Sequence, residues 1–142
     1  MNRNEEYLQE MRSLIEIQCQ LIDRQVEYLK LEAQKYEQTI KDIISYRYKF
    51  THPTIKWKSS IGPILTYKDQ FLYVYKGDQN VVKFDVNDKS SDWPSSFKEV
   101  VEVGGFEDAL VGFSSIDSLL QSYVDALHLS IHKLEQQLNR GK

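Results

Sequence analysis

From Glu5 to about Tyr46 the apolar residues fall in two rows. Leu8, Ile15, Ile22, Leu29, Tyr36 and Ile43 recur every seven residues, and Cys19, Val26, Ala33 and Ile40 follow members of that row by four. This is the 3-4 alternation of a coiled-coil seam. A second row, Leu14, Ile17, Leu21, Tyr28 and Leu31, falls on roughly the opposite side at 100° per residue. No proline or glycine interrupts the stretch, and Glu, Gln, Lys, Leu and Ile dominate it. The pattern predicts one long helix over residues 1–46. Such a helix is roughly 60 Å long, whereas a compact globule of this chain length is roughly 35–40 Å across. It must project, bend or meet a partner. Two apolar sides also need two covers, one from the chain's own domain and one from another helix. Ile15, Ile22, Leu29 and Tyr36 are therefore the expected self-association positions, in a homodimer or against a helical partner.

After residue 46 the period changes. His52-Pro53 ends the helical region, because a residue before proline avoids the helical basin. Short runs rich in Val, Ile, Tyr, Phe and Trp follow at Ile55–Lys58, Ile64–Tyr67, Phe71–Tyr75 and Val81–Val86. Gly62-Pro63, Lys68-Asp69 and Gly77-Asp78-Gln79-Asn80 separate them as turns. Connections this short predict an antiparallel meander over residues 54–86. Asn87–Ser95 reads as a polar loop. Ser96 with Glu99 is a capping-box pair, and Gly104-Gly105 a stop, so Phe97–Val103 is predicted as a short helix. Ala109–Phe113 reads as a further strand. Ser114 or Ser115 then caps a second long helix with Ile116, Leu120, Tyr123, Leu127, Ile131, Leu134 and Leu138 as apolar positions and Gly141 beyond its end. The expected fold is α+β in a single domain over residues 1–142: a long N-terminal helix, a central antiparallel sheet, a short helix and a long C-terminal helix within 96–142.

Composition narrows the function classes. The formal net charge of -3 favours neither nucleic acid nor membrane for the chain as a whole. It conceals an asymmetry, because residues 46–83 hold 7 basic and 2 acidic side chains between two acidic arms. One cysteine cannot form an internal disulfide, which fits a reducing compartment. The first residues, MNRNEEYLQEM, carry acids where a secretory signal has an apolar run, and no stretch is apolar enough to span a membrane. The expectation is a cytoplasmic protein without a membrane partner.

Candidate chemistry is sparse. His128 and His132 stand four apart on the last helix, with Asp125 and Glu135 nearby, a spacing that can offer ligands to zinc or nickel. The glutamate that follows the first histidine in H-E-x-x-H is absent, and the wet face of an amphipathic helix accounts for the pair. Asp85-Val86-Asn87-Asp88 departs from a calcium loop at Lys89, Ser90 and Ser96. Gly104-Gly105 has no phosphate-binding context. Cys19 sits in the helical seam, where burial silences a thiol. No serine, histidine and aspartate share a nucleophile context. The expectation is a non-enzyme with no cofactor.

One constellation has a ligand in view. Tyr46, Tyr48, Phe50, Trp57, Tyr67, Tyr73 and Tyr75 interleave with Arg47, Lys49, Lys56, Lys58, Lys68 and Lys76. Aromatic faces stack on unpaired bases and lysines neutralise phosphates, so a single-stranded nucleic-acid platform is one reading. An acidic protein held by Arg47, Lys49, Lys56, Trp57, Lys58, Lys68 and Lys76 is another. The structural alternative places alternate aromatics in the core and leaves alternate lysines in water, which suits Trp57 between Lys56 and Lys58, where a buried Trp57 is expected.

The segments "LYVYKGDQNVVKFDV" and "ALVGFSSIDSLLQSYVDAL" together resemble the closing part of the SUKH superfamily, in which a final strand runs into a serine-capped helix. Ser115-Ile116-Asp117-Ser118 stands at the start of that helix. The resemblance implies an immunity protein that binds and neutralises a toxin domain. The residues as a whole point to a non-enzymatic protein-interaction module, an adaptor, inhibitor or immunity-like binder that self-associates through its N-terminal helix. The alternative is a single-stranded nucleic-acid binder using the aromatic and basic sheet.

Overall fold

The computed structural model describes residues 2–141, and the side chains of all of these but 89–91. Helix α1 runs from Arg3 to Ser45, and the Asn2 side chain caps it by accepting from the Glu5 N–H at 2.9 Å. Its other end closes with Arg47 at a positive φ of 64°, while the Arg47 and Tyr48 amides donate back to the Ile44 and Ile43 carbonyls. That pair of reversed hydrogen bonds satisfies carbonyls the helix leaves open.

Four antiparallel strands follow in the order β1-β2-β3-β4: β1 (Ile64–Lys68), β2 (Phe71–Gly77), β3 (Asn80–Asp85) and β4 (Asp88–Ser95). The first two hairpins turn through two residues each, Asp69-Gln70 and Asp78-Gln79, all four at positive φ. Such turns match the twist of the strands they join. Then come α2 (Phe97–Glu102), α3 (Phe106–Ser114) and α4 (Ile116–Arg140). One half of the capping pair forms as expected, Ser96 Oγ accepting from the Glu99 N–H at 3.1 Å, while the Glu99 carboxylate turns to Tyr73, Lys83 and Ser95. Helix α2 ends with Gly104 at φ 83°, its amide and that of Gly105 donating to Val101 and Val100. The molecule is α+β, and among the described residues no helix is long and apolar enough to cross a membrane.

Three segments differ from their predicted form. Ile55–Lys58 is no strand. It crosses the outer face of the sheet, with Ile55 and Trp57 packed inward and Lys56 and Lys58 exposed, so the alternation is real but no ladder forms. The segment is held instead where Phe50 and Ser59 exchange backbone hydrogen bonds of 2.7 and 3.0 Å. Asn87–Ser95 is no loop, because β4 occupies it as an edge strand. An edge tolerates polar side chains and Pro94, which has no N–H to give. Ala109–Phe113 is helical, since a short apolar run does not distinguish strand from helix by period alone. Ser115 also leaves the helix amides alone; its Oγ donates to the Gly112 carbonyl at 3.2 Å.

The helices cover one face of the sheet. Alternation along β2 sends Tyr73 and Tyr75 toward them and Leu72 and Val74 to the other side. The main core joins Leu29, Ala33, Tyr36, Ile40 and Ile43 of α1 to Leu65, Tyr75, Phe97 and Phe113. Phe113 sits at its centre, 5.6 Å from the Tyr75 ring and 6.4 Å from the Tyr36 ring. A smaller core of Ile64, Leu72, Val74 and Val82 lies beneath the 55–61 segment. Helix α3 lies so close to β1 that a Cβ on Gly112 would stand 2.2 Å from the Ile64 carbonyl oxygen.

Candidate functional site: the overhanging helices

Four contacts fix how α1 and the C-terminal helices run. The Tyr28 ring meets Phe106 at 6.0 Å, Tyr36 stacks on Phe113, the Tyr36 hydroxyl donates to Asp117 Oδ2 at 3.3 Å, and Tyr48 stacks on Tyr123 at 4.3 Å. The Tyr123 hydroxyl also donates to the Lys49 carbonyl. Numbers rise together on both sides, so α3 and then α4 track α1 in the same direction. Helix α1 therefore overhangs the domain at one end and α4 at the other. The free portions, residues 3–21 and 124–140, are each roughly 25–28 Å long.

Both overhangs keep the apolar stripe of the docked portion. On α1, Tyr7, Leu8, Met11, Leu14, Ile15 and Leu21 are each more than half exposed. At 100° per residue most of them continue the face that buries Leu29, Ala33, Tyr36 and Ile40 farther along. The four expected self-association positions are thereby divided. Ile15 is free, Ile22 is half-buried against the core, and Leu29 and Tyr36 are inside it. The heptad row is one stripe with two uses, and the domain itself covers the C-terminal half. Cys19, expected in a packed seam, is exposed on the overhang. Tyr28 and Leu31 of the second row remain about half exposed beside the domain.

The basic residues do not converge. Lys68 stands beside the β1–β2 turn and Lys76 at the far end of β2, while Arg47 and Lys49 follow the end of α1. Lys56 lies over the Trp57 ring, 4.9 Å from its centroid, and Lys58 is exposed next to it. Of the aromatics in this constellation, Phe50, Tyr73 and Tyr75 are buried in the core, Tyr48 and Trp57 are half-buried, and Tyr46 and Tyr67 are exposed. The opposite sheet face lies under the 55–61 segment. Trp57 is half-buried rather than enclosed, and truncating it removes less than a core aromatic would. It borders an apolar cleft of about 340 Å³ with Ile61, Leu72, Val74, Phe84 and Val86. His128 and His132 are exposed on the α4 overhang, and among the described residues no three His, Cys, Asp or Glu side chains gather as a metal site requires.

Two carboxylates organise the polar interior, Glu37, which the sequence did not single out, and Glu99, which it marked only as a helix cap. Glu37 accepts from the Tyr75 hydroxyl at 2.7 Å and the Asp78 amide at 2.6 Å, tying the β2–β3 hairpin to α1. Glu99 accepts from Tyr73 at 2.9 Å, Lys83 at 2.7 Å and Ser95 at 2.9 Å. Burial pushes the Glu99 carboxyl up, but the hydrogen bonds from Lys83, Tyr73 and Ser95 outweigh it and leave the group below its ordinary range. Burial and the bond to Glu99 push the Tyr73 phenol up to about 12. A carboxyl depressed on folding stabilises the protein above its unfolded value and ceases to do so as pH falls through the folded one. Stability is therefore expected to decline below about pH 4.5, and Glu99→Gln should flatten that decline in urea titrations run from pH 6 to 3. An unchanged acid limb in the variant would contradict this assignment. No protein-family model, curated protein or solved structure matches the chain.

Proposed function

We propose that the chain is a non-enzymatic protein-interaction module that self-associates through the overhang of α1. The observation that carries this reading is the row of Leu8, Met11 and Ile15, with Tyr7 and Leu14 at its edge, which carries the buried face of α1 onto the part of the helix that overhangs its own domain. Monomeric proteins rarely expose continuous apolar patches beyond a few hundred Å². The polar clusters support a non-catalytic reading, because Glu37 and Glu99 are committed to donors that hold structural elements together. An adaptor, inhibitor or immunity-like role is the biological form that such an assembly would take, with a protein as its further partner.

Sedimentation equilibrium tests the reading. The wild type should be oligomeric at micromolar concentration, and Leu14→Asp with Ile15→Asp should weaken association at least about tenfold, which corresponds to about 1.4 kcal/mol. The protomer itself should unfold within about 0.5 kcal/mol of wild type, because both positions are exposed in it. A wild type that is monomeric at those concentrations ends the proposal.

A further inference from the structure

The α4 overhang has a seam of its own. Leu120, Val124, Leu127, Ile131, Leu134 and Leu138 are spaced four, three, four, three and four apart. The last five are all about half exposed or more, from 46% at Val124 to 68% at Leu138. In heptad terms Val124, Ile131 and Leu138 hold the a positions and Leu120, Leu127 and Leu134 the d positions. Two of the three a residues, Val124 and Ile131, are β-branched, and β-branched residues at a with leucine at d favour parallel two-stranded coiled coils.

We infer that α4 pairs in parallel with α4 of a second copy of this chain. The inference rests on the self-association reading and extends it to the other end of the molecule. The chain's own α1 cannot cover this seam, because the two helices leave the domain at opposite ends. The partner's α1 fits it poorly, because either four-three row through the overhang part of its seam carries a polar side chain, Arg12 in Leu8-Arg12-Ile15-Cys19-Ile22 and Gln18 in Leu8-Met11-Ile15-Gln18-Ile22, which would face an all-apolar stripe. A second α4 meets each of Val124, Leu127, Ile131, Leu134 and Leu138 with another apolar residue. In the parallel register the flanking g and e′ positions bring Tyr123 to His128 and Ser130 to Glu135, so no like charges oppose each other.

Parallel pairing sets each d residue against its own copy, which gives a direct test. In full-length protein carrying Cys19→Ala, Leu134→Cys should form an intermolecular disulfide quantitatively under mild oxidation, and Leu127→Cys should do the same. Leu129→Cys, on the outer side of the helix, should cross-link at least about tenfold more slowly. Positions 127 and 134 are exposed in the protomer, so folding is not at stake. If the protein is oligomeric but Leu134→Cys links no faster than Leu129→Cys, α4 pairing is wrong and association through α1 stands. If the unmodified chain is a monomer, both readings fall together.

Discussion

Leu29→Asp is expected to unfold the domain. Leu29 has no exposed surface and belongs to the main core with Ala33, Tyr36, Phe97 and Phe113. An aspartate there loses the burial of a leucine, worth about 1.5–3 kcal/mol. It also brings a polar group into a site with no donor for it, adding roughly 1–3 kcal/mol even if the carboxyl stays protonated. The total, on the order of 3–6 kcal/mol, is comparable to the whole stability of a typical domain, about 5–15 kcal/mol. Urea unfolding followed by far-UV circular dichroism should show a midpoint shifted far down, or no cooperative transition at all. Ile15→Asp, two heptads earlier in the same row, should leave the unfolding curve of the protomer nearly unchanged. A Leu29→Asp protein that folds normally and merely dissociates would show that α1 is docked the wrong way round.

The contrast between those two positions marks how far the sequence could be read. The heptad row shows that Ile15, Ile22, Leu29 and Tyr36 share a face, but a period says nothing about what covers each part of it. The covering elements come from distant segments, with Phe97, Val101 and Phe113 arriving more than sixty residues later. Turn chemistry was local and therefore legible, as at Ser96, Gly104 and Asp78-Gln79. Ala109–Phe113 was not, because five apolar residues in a row carry neither period. The α4 seam was open to view, since its four-three spacing is as regular as that of α1. The structure makes that regularity matter by leaving Val124, Leu127, Ile131, Leu134 and Leu138 uncovered. The interleaved tyrosines and lysines are divided for the opposite reason: alternation along β2 puts Tyr73 and Tyr75 inside, where their hydroxyls reach Glu99 and Glu37, while Tyr46 and Tyr67 stay exposed.

The second large effect is expected at Gly112, and there the sign of a small change decides the matter. A glycine inside a helix normally gains about 0.5–1 kcal/mol of stability on replacement by alanine, through backbone entropy. Gly112 lies inside α3, so helix propensity alone favours Gly112→Ala. Packing opposes it, because the new methyl would stand 2.2 Å from the Ile64 carbonyl oxygen, a backbone atom fixed in β1 beside the main core. That contact can be relieved only by sliding α3 off the strand. The same helix carries Asp108, whose carboxylate accepts from Thr66 Oγ1 at 3.0 Å and whose carbonyl accepts from His52 Nε2 at 2.8 Å. The Thr54 amide donates to His52 Nδ1 at 3.2 Å, which fixes the proton on Nε2, so a shifted α3 leaves a buried donor short of its acceptor. Overpacking of about 1–3 kcal/mol and the weakened bonds together exceed the propensity gain. Gly112→Ala should therefore lower the melting temperature by several degrees, at roughly 2–8 °C per kcal/mol for domains of this size range. Gly112→Val, bulkier and less helix-prone, should fall further still. Calorimetry on the two variants beside wild type reads the outcome directly. A Gly112→Ala protein that melts higher than wild type would mean that α3 and β1 are farther apart than the structure places them.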